Sequence, residues 1–153
     1  MDTQVNPIPE GYHSLTPYLI VKDARKAIEF YKEVFNASEL YRMDGPDNKV
    51  GHCELQIGDS RIMLADEYPD MNAIAPGAGG RAFSLVLYVK NVDEVFKKAV
   101  NAGATILQPL ENKFYGDRMG TIQDPFGHSW SLGMHIEDVT PEEMNRRSKE
   151  MYN

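Results

Sequence analysis

Thr16-Pro-Tyr-Leu-Ile-Val-Lys-Asp23 and Ser84-Leu-Val-Leu-Tyr-Val-Lys-Asn91 lie over one another at an offset of 68 positions, from 16 to 84. Each is a short run rich in β-branched and aromatic residues, which reads as a strand. Each closes on Val-Lys and then on Asp23 or Asn91, side chains that accept hydrogen bonds from the free amides at a helix start. The chain thus contains one unit written twice, and the reading of either copy constrains the other.

Working outward, Ala27, Ile28, Tyr31, Val34 and Phe35 fall at helical spacing, predicting a helix over roughly 23–36. Val92, Val95, Phe96, Ala99 and Val100 repeat that spacing after Asn91, and Gly103 stands where a left-handed C-terminal cap favours a residue without a Cβ. Three short strand-like runs between turn residues follow each helix: 39–42, 52–57 and 61–65 in the first copy, 105–109, 118–124 and 129–133 in the second. Residues 67–80, rich in Pro, Gly, Asp and Asn, suit an exposed flexible connector. Thr140-Pro-Glu-Glu143 carries the spacing of a capping box with proline at the first helical position, predicting a last helix over about 140–150. The expected organisation is α+β: one domain over 1–153, with βαβββ modules at about 11–66 and 81–135.

Composition narrows the function classes. A chain of 153 residues, 42% hydrophobic and 25% charged, has the make-up of a core-forming globular domain. A net charge of -7, with no basic cluster longer than Arg146-Arg147, argues against nucleic acid as a partner. Apolar runs reach only strand length, as at 83–89, which argues against membrane insertion. A single cysteine, Cys53, forms no intramolecular disulfide, and Met1-Asp2-Thr3-Gln4 has no basic, apolar leader pattern, so the expected location is cytoplasmic.

Asp23 through Ala27-Ile-Glu-Phe-Tyr31, and later Asp124-Pro-Phe-Gly-His-Ser-Trp-Ser-Leu132, resemble the two signatures of the vicinal-oxygen-chelate superfamily, which includes glyoxalase I, extradiol dioxygenases and bleomycin-resistance proteins. Tyr115-Gly-Asp-Arg118, Asp-Pro-Phe-Gly-His128 and His135-Ile-Glu-Asp-Val139 are similar to its PhnB-like branch. The resemblance spans about 11–148. It implies paired modules whose sheet curves around a cavity with helices on the convex side, and a homodimer. In metal-dependent members each module supplies one ligand from its first strand and one from its last; those places fall here on Thr16, Met63, Ser84 and Ser131. A hydroxyl or thioether does not hold a divalent cation against water, so no metal and no cofactor are expected.

Alternation along the strands places Tyr18, Ile20, Arg61, Val86, Tyr88 and Ser129 on the same face as those four positions. On 52–57, Cys53, Leu55 and Ile57 form the apolar side, which leaves His52, Glu54 and Gln56 facing the cavity or lying on a solvated edge. The expected ligand-binding set is Thr16, Tyr18, Arg61, Met63, Ser84, Tyr88, Tyr115, Arg118 and Ser131, around a small aromatic or amphipathic molecule. Arg118 offers its fork either to a ligand anion or to Asp117 or Asp124 within the chain. His52 and Glu54 are the candidate catalytic pair of an alternative reading, a small-metabolite lyase or isomerase. There they hold a displaced metal with His13 or His128, or Glu54 acts as a base with a pKa raised by burial. Trp130 and Cys53 are expected in the core.

Overall fold

The structure, a computed structural model, describes residues 6–77 and 83–152. The last three positions of the expected connector, 78–80, and the first two of the second module lie outside the described residues. The chain divides into two compact units, Met1–Gly77 and Ala78–Asn153.

Module one runs β1 (Tyr18–Val21), α1 (Ala24–Phe35), β2 (Ser38–Asp44), β3 (Val50–Ile57) and β4 (Ser60–Asp66). Its four-stranded sheet has the order β1-β4-β3-β2, with β1 parallel to β4 and the remaining pairs antiparallel. Module two repeats the plan with β5 (Leu85–Tyr88), α2 (Val92–Asn101), β6 (Thr105–Asn112), β7 (Asp117–Gln123) and β8 (Ser129–His135), in the order β5-β8-β7-β6. Helix α3 (Pro141–Tyr152) follows. This is the α+β, twice βαβββ architecture that the repeat implies.

The caps explain why the elements start where they do. The Asp23 carboxylate accepts from Lys26 N and the Asn91 side chain from Glu94 N, each at 3.2 Å. Gly103, just past the end of α2, takes φ +108. At α3 only half of the expected box forms. Thr140 Oγ1 accepts from Glu143 N at 3.2 Å, whereas the Glu143 carboxylate is held by Arg146 and Arg147 and does not reach back.

The helices cover one face of each sheet. Tyr31, Ile28, Leu19, Leu55, Leu64 and Cys53 are at most 1% exposed in module one. Val92 and Ala99 of α2, with Ile122, Trp130 and Leu132, form the matching core of module two. Fully burying each large side chain contributes roughly 1.5–3 kcal/mol. Two buried carboxylates tie the backbone to these cores. Asp66 accepts from Ala24 N and Val50 N at 2.9 and 2.7 Å. Asp124 accepts from Phe126 N, His128 N and Trp130 Nε1 at 2.8–2.9 Å, which is the physical content of the Asp-Pro-Phe-Gly-His-Ser-Trp signature.

One expectation is corrected. Thr16 and Ser84 precede their strands, which begin at Tyr18 and Leu85. In the described part of the connector, Pro69–Met71 forms a single 3-10 turn, Asn72 takes φ +60, and Tyr68 pairs with Ala73. Proline at the start and asparagine in the left-handed region are what that turn requires.

Candidate functional site

The face of the module-one sheet away from α1 carries a continuous polar relay. On β3, the ladder puts Cys53, Leu55 and Ile57 under the helix and turns His52, Glu54 and Gln56 to the open side. The His52 ring bridges two groups: Nδ1 lies 2.9 Å from the Tyr18 hydroxyl and Nε2 lies 2.9 Å from Glu54 Oε2. A neutral imidazole with its proton on Nε2 satisfies both contacts, with the Tyr18 O–H donating to Nδ1. The Tyr12 hydroxyl donates to the other Glu54 oxygen, Oε1.

Tyr12 reaches Glu54 because residues 9–12 form a strap over the sheet. Tyr12 N donates to Pro9 O at 3.0 Å, and Gly11 takes φ +83. That positive φ favours glycine, and a Cβ there would also lie 2.3 Å from the Arg61 guanidinium, which would have to move. Arg61 fastens it by donating to Glu10 O at 3.1 Å and to Gln56 Oε1 at 2.9 Å, with its guanidinium 4.7 Å from the centre of the Tyr12 ring. Arg61 therefore positions the strap.

Electrostatics fix the protonation logic. The Tyr12 and His52 hydrogen bonds hold the Glu54 carboxyl below the ordinary range, and burial opposes them weakly. The expectation of a burial-raised base at Glu54 is reversed: donors stabilise the carboxylate more than desolvation penalises it. Burial first, and the nearby negative charge second, push the Tyr18 phenol up, so it keeps its proton. The Glu54 carboxylate, held by the Tyr12 hydroxyl, orients the His52 ring. Burial pushes the Cys53 thiol up to about 11, which makes it inert.

Beside the relay lies a cavity of about 360 Å³, walled by Tyr18, Ile20, Met43, Ala65, Tyr68 and Met71. Tyr18 belongs to both: it lines the cavity, and its hydroxyl meets His52. Met63 sits beside Tyr18 across the β1–β4 pair and opposite Glu54 across β3–β4. Sequence reasoning missed Tyr12, Met43, Tyr68 and Met71. The alternation of β2 could have supplied Met43, which pairs with His52. The others come from segments without periodicity.

The remaining candidates belong to module two. Ser131 Oγ is 3.0 Å from Thr121 Oγ1, and Ser84 is exposed ahead of β5. The Tyr88 hydroxyl donates to Asp117 at 2.7 Å and the Tyr115 hydroxyl to Met119 Sδ at 3.6 Å. Arg118 is corrected. It shares the side of β7 on which Ile122 and Gly120 meet α2, and its fork grips Asp93 at 2.8 and 3.0 Å rather than Asp117 or Asp124. Asp117 is taken by Tyr88 and by His135, whose Nδ1 is 2.8 Å away.

A divalent ion does not fit the four family ligand positions. Thr16, Met63, Ser84 and Ser131 offer neutral hydroxyls and a thioether, and the Ser131 hydroxyl is engaged by Thr121. Among the described residues no group of three His, Cys, Asp or Glu side chains is placed to share a metal, so His13 does not complete a set with His52 and Glu54.

Comparison with known proteins agrees with this architecture. The model of the Glyoxalase/Bleomycin resistance protein/Dioxygenase superfamily matches residues 11–132, and the chain belongs to that superfamily. An uncharacterised protein of Mycobacterium tuberculosis is 43% identical over 135 residues, covering 86% of this chain and 79% of its own. The crystal structure of TioX from Micromonospora sp. ML1 is similar with a TM-score of 0.63 at 26% identity, over 81% of this chain and 99% of that one. A PhnB protein from Bacillus cereus shares the fold with a TM-score of 0.65 at 22% identity, over 80% and 99% of the two chains. No helix among the described residues is long and apolar enough to cross a membrane.

Proposed function

We propose that this chain is a metal-independent binding protein for small organic molecules, of the bleomycin-resistance and PhnB-like kind. Its ligand lies on the open face of module one. The observation that carries the reading is the juxtaposition at Tyr18, which lines an apolar cavity of about 360 Å³ and whose hydroxyl joins the His52–Glu54–Tyr12 relay. Ligand sites combine a mostly apolar wall with a few fixed polar groups and span roughly 300–1,000 Å³. Tyr18, His52 and Glu54 supply the polar contacts, Met63 adds wall, and Arg61 holds the strap in place. Ser84, Tyr88, Tyr115 and Ser131 belong to module two and are not part of this proposed site. We also propose that the protein acts in the cytoplasm and forms a homodimer; light scattering on the purified chain tests the dimer.

A thermal-shift panel of aromatic, amphipathic and phosphonate compounds, followed by calorimetric titration of any hit, tests the binding reading. At least one compound is expected to bind saturably and to lose about tenfold or more in affinity on Glu54→Ala, a loss of about 1.4 kcal/mol or more. A panel with no saturable ligand contradicts it.

One observation favours a second reading, acid–base catalysis of a lyase or isomerase reaction. His52 is held between a carboxylate and a hydroxyl in the manner of a base with its orienting partner. In this reading His52 accepts the proton and Glu54 fixes its tautomer. Loss of turnover in His52→Gln with ligand affinity retained would move it ahead of binding alone.

A further inference from the structure

The strap over module one's open face holds a phenol on the relay. The Tyr12 hydroxyl donates to Glu54 Oε1, and the Arg61 guanidinium carbon stands 4.7 Å from the centre of the Tyr12 ring. A carboxylate accepts the hydroxyl proton and a delocalised cation meets the ring, so each part of the side chain has a matched partner. Both partners belong to the sheet, Glu54 on β3 and Arg61 on β4.

Neither partner needs the strap to stay in place. Gln56 pairs with Arg61 and Glu54 with Met63 across β3–β4. Arg61 Nε donates to Gln56 Oε1 at 2.9 Å, and His52 Nε2 lies 2.9 Å from the other Glu54 oxygen. With Tyr12 withdrawn, the sheet would still present a charged acceptor and a flat cation at the spacing that a phenol spans.

The strap itself is lightly tied. Residues 6–11 and 13–15 are exposed, Leu15 at 88%, so apolar burial does not anchor them. Among the described residues its backbone makes one local bond, Tyr12 N to Pro9 O, and one bond to the sheet, through the Glu10 carbonyl that accepts from Arg61 at 3.1 Å. The chain joins the strand ladder at Pro17, whose carbonyl accepts from Met63 N at 2.9 Å. Segments with exposed hydrogen bonds and little apolar burial open at low cost.

We propose that Tyr12 is a resident stand-in for the ligand: the site takes a phenol, which displaces the strap, donates its hydroxyl proton to Glu54 and lays its ring against Arg61. The inference rests on the small-molecule-binding reading above; it names the ligand class and adds a gate to the same site. An anionic group in that place would face the Glu54 carboxylate, which the Tyr12 and His52 hydrogen bonds keep ionised, so the neutral phenol is the form that fits.

Two probes of similar size test it on the full chain: 4-methylphenol, which reproduces the tyrosine side chain, and p-xylene, in which methyl replaces hydroxyl. Amide NMR titration reads affinity and place together. Tyr12→Ala is expected to bind 4-methylphenol about tenfold more tightly than the parent does, the gain for a strap closed about nine-tenths of the time. In that variant 4-methylphenol should also bind about tenfold more tightly than p-xylene, a preference that adding Glu54→Ala erases. In the parent, saturating 4-methylphenol should move the Gly11 and Tyr12 amides together with those of Glu54 and Arg61. Tyr12→Phe, which keeps the ring and removes only the hydroxyl, is the second variant if Tyr12→Ala fails to fold; its gain should be smaller and in the same direction.

Equal affinity of 4-methylphenol for the parent and the Tyr12 variant, no preference over p-xylene, or binding to the parent that leaves the Gly11 and Tyr12 amides in place overturns the proposal. If neither probe binds either chain while another panel compound binds in a Glu54-dependent way, the stand-in is refuted and the small-molecule reading stands. Silence from both probes and the panel refutes both.

Discussion

The two modules share a framework and differ in chemistry on the face that the helix leaves open. Glu54 pairs with Met63 across β3–β4, and Thr121 pairs with Ser131 at the matching place across β7–β8. In the same register Met119 stands for His52, Gln123 for Gln56, Ser129 for Arg61 and Val86 for Tyr18. Module one thus presents a carboxylate, an imidazole, a guanidinium and a phenol where module two presents a hydroxyl, a thioether, a second hydroxyl and an isopropyl group. The repeated helix-facing residues maintain the core, and the other face is free to diverge because packing does not constrain it.

The buried carboxylates also differ. Asp66 gathers two backbone amides, and Asp124 gathers two amides and the Trp130 indole N–H. Hydrogen bonds to a charged group contribute roughly 1.5–3 kcal/mol each, and orphaned donors add their desolvation cost. Asp124→Ala is therefore expected to lower stability by about 3–5 kcal/mol and Asp66→Ala by about 2–4 kcal/mol in urea unfolding. Equal losses would remove this contrast between the modules.

A smaller effect on stability and a larger one on ligand separates the open faces. Glu54→Gln is expected to cost at most about 1 kcal/mol of stability, because the amide keeps one oxygen to accept from its partly buried neighbours, while weakening ligand binding about tenfold. Thr121→Val, its register counterpart, should leave binding unchanged within about twofold. If the two substitutions reversed roles in titration, the site would belong to module two.

The titrations run in opposite directions. Glu54 is held below its ordinary value, so its contribution is full above about pH 4.3 and fades as the pH falls through the lowered value. His135 is raised, chiefly by the hydrogen bond to Asp117 and next by that to Asp138. Its contribution is full below about pH 6.5 and is lost as the pH rises through the raised value. Thermal unfolding should show a small decline on the alkaline side that disappears in His135→Gln and persists in Glu54→Gln. The smallest effect is at Cys53: with its thiol raised to about 11 and buried, iodoacetamide at pH 8 should modify the native chain far more slowly than the unfolded one.

Much of the fold was legible because strand alternation and caps are local. Asp23, Asn91 and Gly103 sit at helix ends as their chemistry requires, and Cys53, Leu55 and Trp130 are buried as their parity predicts. The site was legible where it lies on strands, at Tyr18, His52, Glu54 and Met63. It was not legible where coil crosses the sheet: Tyr12 and Tyr68 arrive on turns built by Gly11 and by Pro69 with Asn72, and no period announces where such a side chain lands. Arg118 was placed with its sequence neighbours, whereas its partner is Asp93, 25 positions away in the first turn of α2. The sign at Glu54 was missed for the same reason, since the Tyr12 hydroxyl comes from the strap.

The central claim is that module one's open face holds the ligand. Amide NMR of the isotopically labelled chain, titrated with the best ligand from the thermal-shift panel, tests it most directly. The account predicts saturable shifts at His52, Glu54, Gln56 and Tyr68, with Met119, Thr121 and Gln123 unmoved. Shifts confined to the module-two set would contradict it.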